Sequence, residues 1–274
     1  MEGIFNYLRH KKQFPTVWCS GCGNGTIMNI LVRRLAKLGY DKNDVVIVSG
    51  IGCSSRMPVY LDFHTVHTTH GRAIPFATGI KMFNPKMKVI IITGDGDGLA
   101  IGGNHMIHAC RRNIDITVLL VNNFIYGMTG GQVSPTTPYK SFCYTSPYGN
   151  FEAPFDVVKL VKGAGATFIA RSTTYHVFQL AKLMEKAITH KGFSVLDIYS
   201  QCPTLYGRLN KIKSPIDSLN YFKENGITLQ AAKKKSPEEL QGKFLTGIFK
   251  QKEVPEYSDV YWELTRRADE QRKE

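Results

Sequence analysis

A doubly wound α/β fold with a parallel sheet is expected from three features of this 274-residue sequence. Short β-branched runs recur, such as Val45-Val-Ile-Val-Ser and Lys88-Val-Ile-Ile-Ile-Thr, without polar alternation, as strands buried on both faces require. Stretches of helical period separate them. Glycine-rich turns follow the apolar runs, at the strand ends where open α/β sheets hold ligands. Alternation of this kind builds a parallel sheet with helices on both faces.

Each element has its own reason. After Pro15, Trp18-Cys-Ser-Gly-Cys-Gly-Asn-Gly leads into a helix over 26–38, whose apolar Ile27, Ile30, Leu31, Leu35 and Leu38 keep helical spacing. Val45-Val-Ile-Val-Ser is a buried strand, followed by Gly50-Ile-Gly-Cys-Ser-Ser. Thr69-His-Gly-Arg-Ala opens a helix over 73–82. The run from Lys88, a helix ending at Arg112, and Asp115-Ile-Thr-Val-Leu-Leu-Val form a strand–helix–strand unit. A Pro/Thr-rich loop then extends to about residue 147. Helices are expected over 156–162 and 175–190, and strands over 167–170 and 194–200. Past Cys202-Pro203 the sequence turns charged and poor in strand signals, with scattered helix signals such as Ser236-Pro-Glu-Glu-Leu. Two units are therefore expected. Residues 1–204 form the α/β domain, and 205–274 form an extension that lies on a partner subunit.

Bulk composition is that of a globular protein, with 43% hydrophobic and 21% charged residues. No run reaches the ~20 apolar residues that span a bilayer, so no membrane role is expected. The start, Met1-Glu-Gly-Ile-Phe-Asn, has no basic segment followed by an apolar one, and the cytoplasm is the default compartment. Net charge is +13, and residues 1–204 carry 21 basic against 11 acidic residues. The excess is dispersed, with Lys233-Lys-Lys the only tract, so nucleic acid is not an expected partner. An acidic protein partner or a plain solvated surface accounts for it.

Asp95 and Asn123 are the leading candidates for a ligand site. A right-handed crossover brings the two strands before them to the same edge of the sheet. One anionic and one neutral oxygen ligand, with glycines beside them, suit a hard divalent cation holding a diphosphate. Gly94-Asp-Gly and Asn122-Asn123 are separated by 25 residues. That spacing resembles the thiamine diphosphate motif; the plain alternative is an ordinary glycine turn in a βαβ unit.

The six cysteines do not read as a disulfide framework. Cys19 and Cys22 form a C-x-x-C turn at a helix start. Cys53 and Cys202 follow the ends of the first and last strands, so all four can reach the edge that carries Asp95. An iron–sulfur cluster, a zinc site and a redox pair of Cys19 with Cys22 are the three readings. Cys110 falls inside a helix and is expected in the core. Cys143 lies in a loop without a companion.

Taken together, Trp18-Cys-Ser-Gly-Cys-Gly, Ser49-Gly-Ile-Gly-Cys-Ser-Ser, His70-Gly-Arg-Ala, Gly94-Asp-Gly-Asp-Gly-Leu-Ala-Ile-Gly-Gly-Asn-His, Arg111-Arg-Asn-Ile-Asp and Asn122-Asn-Phe-Ile-Tyr-Gly-Met-Thr-Gly-Gly-Gln resemble the β subunit of the 2-oxoacid:ferredoxin oxidoreductases. The resemblance covers roughly residues 14–210. Ser20 stands where family members often have proline. The resemblance implies the diphosphate-binding half of a thiamine enzyme. It also implies oxidative decarboxylation of a 2-oxoacid with coenzyme A, electrons passing to ferredoxin.

Carried over position by position, the resemblance makes Cys19, Cys22, Cys53 and Cys202 ligands of one [4Fe–4S] cluster. Asp95, Asn123 and the Ile125 carbonyl would bind Mg2+. Ile51, Gly52 and Ser54 would line the cofactor beside Cys53, Gly96 and Asp97 would meet the diphosphate, and Gly127 and Met128 would close over it. His70 matches a position near the cofactor, where an imidazole can donate to a developing oxyanion. His64, His67, His105 and His108 have no such support. No second α/β half is seen for the aminopyrimidine. The resemblance therefore implies a larger α subunit that carries that half and the activating glutamate.

The loop Thr129-Gly-Gly-Gln-Val-Ser-Pro-Thr-Thr-Pro looks most like the 2-oxoglutarate branch, with branched-chain 2-oxoacids or pyruvate as alternatives. Arg56 is the candidate for a distal carboxylate, because guanidinium forks match carboxylates. A non-oxidative thiamine decarboxylase would need the diphosphate site but not the cysteines. A non-enzymatic electron-transfer or nucleic-acid-binding module would use the glycines as plain turns and bind no thiamine diphosphate.

Overall fold

A computed structural model describes residues 2–9 and 15–272. Met1 and Phe14, where the start of the chain and the start of the resemblance were read, lie outside the described residues.

The elements follow the expected alternation. A short helix α1 (Glu2–Phe5) precedes α2 (Asn24–Leu38), β1 (Val45–Ser49), β2 (His64–His67), α3 (Ala73–Phe83), β3 (Lys88–Gly94), α4 (Gly103–Arg112) and β4 (Thr117–Asn122). After a long loop come α5 (Val157–Gly163), β5 (Phe168–Thr173), α6 (Val177–Thr189) and β6 (Ser194–Tyr199). The extension adds α7 (Pro215–Asn225), β7 (Gly226–Thr228), α8 (Leu229–Ala232), β8 (Phe244–Gln251) and α9 (Tyr257–Gln271).

Among the described residues the strands form one sheet in the order β2-β1-β3-β4-β6-β5-β8-β7. The first six of these are parallel to one another, and β8 runs antiparallel to β5. Strands β1, β3, β4, β5 and β6 are buried along nearly their whole length, which explains their unbroken apolar runs. Helices α2 and α6 pack Leu31, Leu35, Leu180 and Met184 on one face. On the other, α3, α4 and α5 pack Ala77, Met106 and Val161. The order departs from β1 in both directions, so a switch point lies between β1 and β3, where open α/β sheets leave a crevice.

Three strands escaped the sequence reading for physical reasons. β7 has three residues, none of them buried, and is too short to carry a pattern. β2 is an edge strand whose residues are all at least partly exposed, so His64-Thr-Val-His carries no apolar pattern. β8 needs no continuous apolar run because it is partly exposed along its length, and Gly247 sits in it at φ +118°. The extension thus continues the sheet rather than leaving it. Ser236-Pro-Glu-Glu-Leu closes one turn only: Glu239 accepts the Ser236 N–H at 3.0 Å, and no helix follows.

At the edge away from the switch-point crevice, Lys81 is buried and paired with Asp115 at 2.6 Å, with Lys88 Nζ at 3.8 Å. Burial pushes the Asp115 carboxyl up, but Lys88 and Lys81 outweigh it and hold its pKa below the usual value. A depressed carboxyl pKa adds stability above the unfolded value near ~4, lost as pH falls through the folded value. Asp115→Asn should therefore strand a buried lysine, cost about 3–5 kcal/mol in urea unfolding at neutral pH, and flatten the acid limb of the stability profile.

Candidate cofactor and cluster site

The loops that leave β1, β3, β4 and β6 meet at one edge of the sheet. Asp95 follows β3 and is 2% exposed. Ser134 Oγ and Thr136 Oγ1, from the long loop after β4, both donate to its Oδ2 at 2.6 Å. Burial pushes the Asp95 carboxyl up to about 6 despite those two hydroxyls. A buried carboxylate whose pKa stays raised despite two hydroxyls and the backbone N–H of Gly96 is what a cation offsets.

Asn123 leaves β4 beside it. Its Oδ1 accepts the Ile125 N–H at 3.3 Å. Between them Phe124 adopts φ +65°, a region that aromatic residues rarely enter. The strain is held by the ring, packed on Tyr199 and Tyr206 at 4.9 and 5.5 Å, and by Thr137 Oγ1 donating to the Phe124 carbonyl at 2.7 Å.

Asp97 does something the sequence did not disclose. Its Oδ1 accepts from Ile51 N (3.2 Å), Gly71 N (2.7 Å) and His70 Nδ1 (2.6 Å), and its Oδ2 from Thr93 Oγ1 (2.6 Å). A Cβ at Gly50 would stand 2.2 Å from that carboxylate, so only glycine fits there. The side chain is therefore committed to tying the β1 and β2 loops to β3. Asp97 itself stands near the start of the π-helical turn Gly96–Ile101. Tyr126 Oη donates to the Gly96 carbonyl at 3.1 Å and packs edge-on to His70. Because Asp97 accepts, His70 Nδ1 carries the proton and Nε2 remains for other contacts.

Cys19, Cys22, Cys53 and Cys202 line one cavity of about 700 Å³ together with Arg56, Asn123, Gly127, Met128 and an apolar wall. The convergence is built by backbone contacts. Trp18 Nε1 donates to the Cys53 carbonyl at 2.6 Å, and the Gly23 N–H to the Gln201 carbonyl at 3.3 Å. A Cβ at Gly23 would meet Ser200 Oγ at 2.2 Å, so the C-x-x-C turn sits directly on the segment that carries Cys202. A Cβ at Gly127 would lie 3.5 Å from Cys53 Sγ and 3.8 Å from Cys202 Sγ. The thiols surround a space rather than a point: among the described residues no three His, Cys, Asp or Glu side chains close round a single ion position. Burial pushes Cys22 up to about 12 and Cys53 to about 11, with Cys202 also raised. Thiolates there call for strong cationic ligation. Arg56 is exposed at the rim and favours the Cys53 thiolate.

The remaining candidates fall in place. Ser54 is buried, and Ile51, Gly52 and Met128 are at least partly exposed. Cys110 is core, as expected, and Cys143 is buried too; all six cysteines are free thiols. His67 Nδ1 pairs with Ser49 Oγ at 3.0 Å and His105 with Arg72 at 2.9 Å, while His64 and His108 are exposed. Ser134, Thr136, Thr93 and Trp18 were not foreseen. Pro-flanked Ser/Thr spacing in the loop was the only signal for Ser134 and Thr136.

Residues 50–198 match the thiamine pyrophosphate enzyme C-terminal TPP-binding domain. The chain is 50% identical over 264 residues to the 2-oxoglutarate synthase subunit KorB of Methanocaldococcus jannaschii, covering 96% of this chain and 97% of that one. This chain belongs to the 2-oxoacid:ferredoxin oxidoreductase β subunits. It is also 38% identical to subunit beta of the Aeropyrum pernix 2-oxoacid:ferredoxin oxidoreductase 2, over 98% of this chain and 87% of that one. A solved 2-oxoglutarate:ferredoxin oxidoreductase from Magnetococcus marinus, with 2-oxoglutarate, coenzyme A and succinyl-CoA bound, superposes with a TM-score of 0.86 at 34% identity, covering 97% of this chain and 90% of that one. The likeness spans the extension as well as the α/β part. The oxidoreductase β-subunit fold expected from the motifs is therefore the observed one. Among the described residues no helix is long and apolar enough to cross a membrane.

Asp97 yields a test of its structural part. Asp97→Ala removes the acceptor of Ile51 N, Gly71 N and Thr93 Oγ1, and hydrogen bonds to a charged group are worth about 1.5–3 kcal/mol each. Urea unfolding of the cofactor-free chain should show a loss on the order of 3 kcal/mol or more. Unchanged stability with weakened cofactor binding would instead assign the carboxylate to the diphosphate.

Proposed function

We propose that this chain is the β subunit of a 2-oxoglutarate:ferredoxin oxidoreductase, which converts 2-oxoglutarate and coenzyme A to an acyl-CoA and carbon dioxide. One observation carries the oxidative reading: four cysteines share a cavity with Asn123, Gly127 and Met128, so the cluster position abuts the cofactor position. A non-oxidative thiamine decarboxylase has no use for that arrangement.

The residues fit the groups. Asp95 and Asn123 by side chain and Ile125 by carbonyl are the set for Mg2+. Ile51, Gly52, Ser54, Gly96, Asp97, Gly127 and Met128 are the set for thiamine diphosphate, the last two from the loop after Asn123. Cys19, Cys22, Cys53 and Cys202 are the set for a [4Fe–4S] cluster. When bound, the cofactor supplies the carbon nucleophile for decarboxylation and the cluster accepts electrons singly. The protein's own part is placement. Asp95 and Asn123 clamp the diphosphate end, the Asp97 hub holds His70 beside it, and the apolar wall of Val17, Val59, Tyr60 and Leu205 limits water near the cysteines. Arg56, on the rim of the same cavity, supplies positive charge for a distal carboxylate.

The pyrimidine end and its activating glutamate belong to a larger α subunit, and ferredoxin takes the electrons. Exposed Val260, Tyr261, Trp262 and Leu264 on α9, and Tyr139, Tyr144, Tyr148 and Phe151 on the long loop, support contact with another subunit.

Two measurements test this reading. Cys53→Ala or Cys202→Ala, made in the co-expressed complex, should lose most bound iron and the absorbance near ~400 nm of an iron–sulfur centre. Cys110→Ala should lose neither, and equal iron in all three would rule out the cluster. Anaerobic viologen reduction with 2-oxoglutarate and coenzyme A should require the α subunit. In that assay Arg56→Gln should lower kcat/KM for 2-oxoglutarate by roughly ten- to a hundredfold, one charge-assisted contact, and spare pyruvate. Full turnover by the lone chain would overturn the subunit reading, and an equal fall with both acids would remove Arg56 from selectivity.

A further inference from the structure

Asn122, the first residue of the Asn-Asn pair, has no part in the site as described, and neither have Arg171 and Asp197. All three are buried, Asn122 and Asp197 at 1% exposure. They form a line. Arg171 Nε donates to Asp197 Oδ2 at 2.7 Å. Asn122 Nδ2 donates to Asp197 Oδ1 at 3.2 Å. Asn122 Oδ1 lies 2.9 Å from Thr136 Oγ1, which lies 2.6 Å from Asp95 Oδ2. The line crosses β5, β6 and β4 and ends beside β3. Arg171 and Asp197 are register partners, and the guanidinium is covered by the Tyr199 and Phe249 rings at 5.0 and 5.6 Å.

An ion pair between buried parallel strands is seldom the most stable choice; apolar side chains of like volume serve as well or better. This one has a direction. Asp197 accepts from Arg171 on Oδ2 and from the Asn122 NH2 on Oδ1, so Asn122 turns its carbonyl toward Thr136. Thr136 then stands pinned between Asn122 and Asp95, its single proton facing both oxygens. Ser134 and Thr136 both act on Asp95 Oδ2. Among the described residues no side chain donates to Oδ1.

We propose that Asp197 is a positioning residue for the metal-binding carboxylate of Asp95. Through Asn122 and Thr136 it holds Oδ2 against the protein and so presents Oδ1 to the cation. Arg171 holds Asp197 in turn. The inference rests on the magnesium role given to Asp95 above.

The test is a double-mutant cycle on the co-expressed complex, stripped of cofactor and titrated calorimetrically with thiamine diphosphate at fixed Mg2+. Asp197→Asn should raise the dissociation constant roughly three- to tenfold, the worth of one hydrogen bond. Thr136→Val should do at least as much, and Thr136→Ser should restore binding. The decisive result is the double variant, expected to bind no worse than Thr136→Val alone. Additive losses, or wild-type binding by Asp197→Asn, would overturn the proposal, because a merely structural residue does not act through Thr136. Should Asp197→Asn fail to fold, Asn122→Ser takes its place in the cycle with the same two outcomes. Asp95→Ala separates the levels. Wild-type Mg2+-dependent binding in that variant sinks the magnesium reading itself; lost binding with an additive cycle sinks only the positioning role.

Discussion

A parallel strand delivers its carboxyl end to the same edge as its neighbour's, and here four strands are held to that rule side by side. Hydrogen-bonded pairing of β1, β3, β4 and β6 brings together residues as far apart as Cys53 and Cys202. The loops after these strands bring three kinds of side chain to that edge: a thiol after β1, a carboxylate after β3, an amide after β4 and a second thiol after β6. Only Cys19 and Cys22 arrive otherwise. They come on the turn before α2, which docks through Gly23 onto the end of β6.

Two carboxylates two residues apart show how environment divides labour. Asp97 meets four donors on its two oxygens and acts as a fastener for loops from β1, β2 and β3. Asp95 meets two hydroxyls on one oxygen, and burial lifts its pKa. The first is satisfied inside the protein; the second is left short of positive charge at the crevice. Burial raises three of the thiols as well, so the carboxylate and thiol ends of the site share one physical cost, the desolvation of their charged forms.

The extension is bound into this arrangement rather than appended to it. β8 pairs with β5, and Phe249 of β8 covers Arg171. The part of the chain that reads as a surface for another subunit therefore touches the residue that begins the line toward Asp95. Packing at the edge of the sheet and order at its crevice are physically continuous.

Local chemistry left clear marks in the sequence. The buried parallel strands and the Gly-Asp-Gly and Asn-Asn ends were legible because each depends on residue type at short range or at the fixed spacing of one βαβ unit. The four distant cysteines were legible because each falls at a strand end or a helix start. β2 and β8 were not legible, since an edge strand and a strand that is mostly only half-buried need little apolar pattern. The fastening role of Asp97 was not legible for a related cause: its partners Ile51, Gly71 and Thr93 come from three separate segments. Ser134, Thr136, Asn122, Asp197 and Arg171 carry no motif that joins them. What they do is decided by strand order and by the rotamers that burial allows, and both exist only once the sheet has closed.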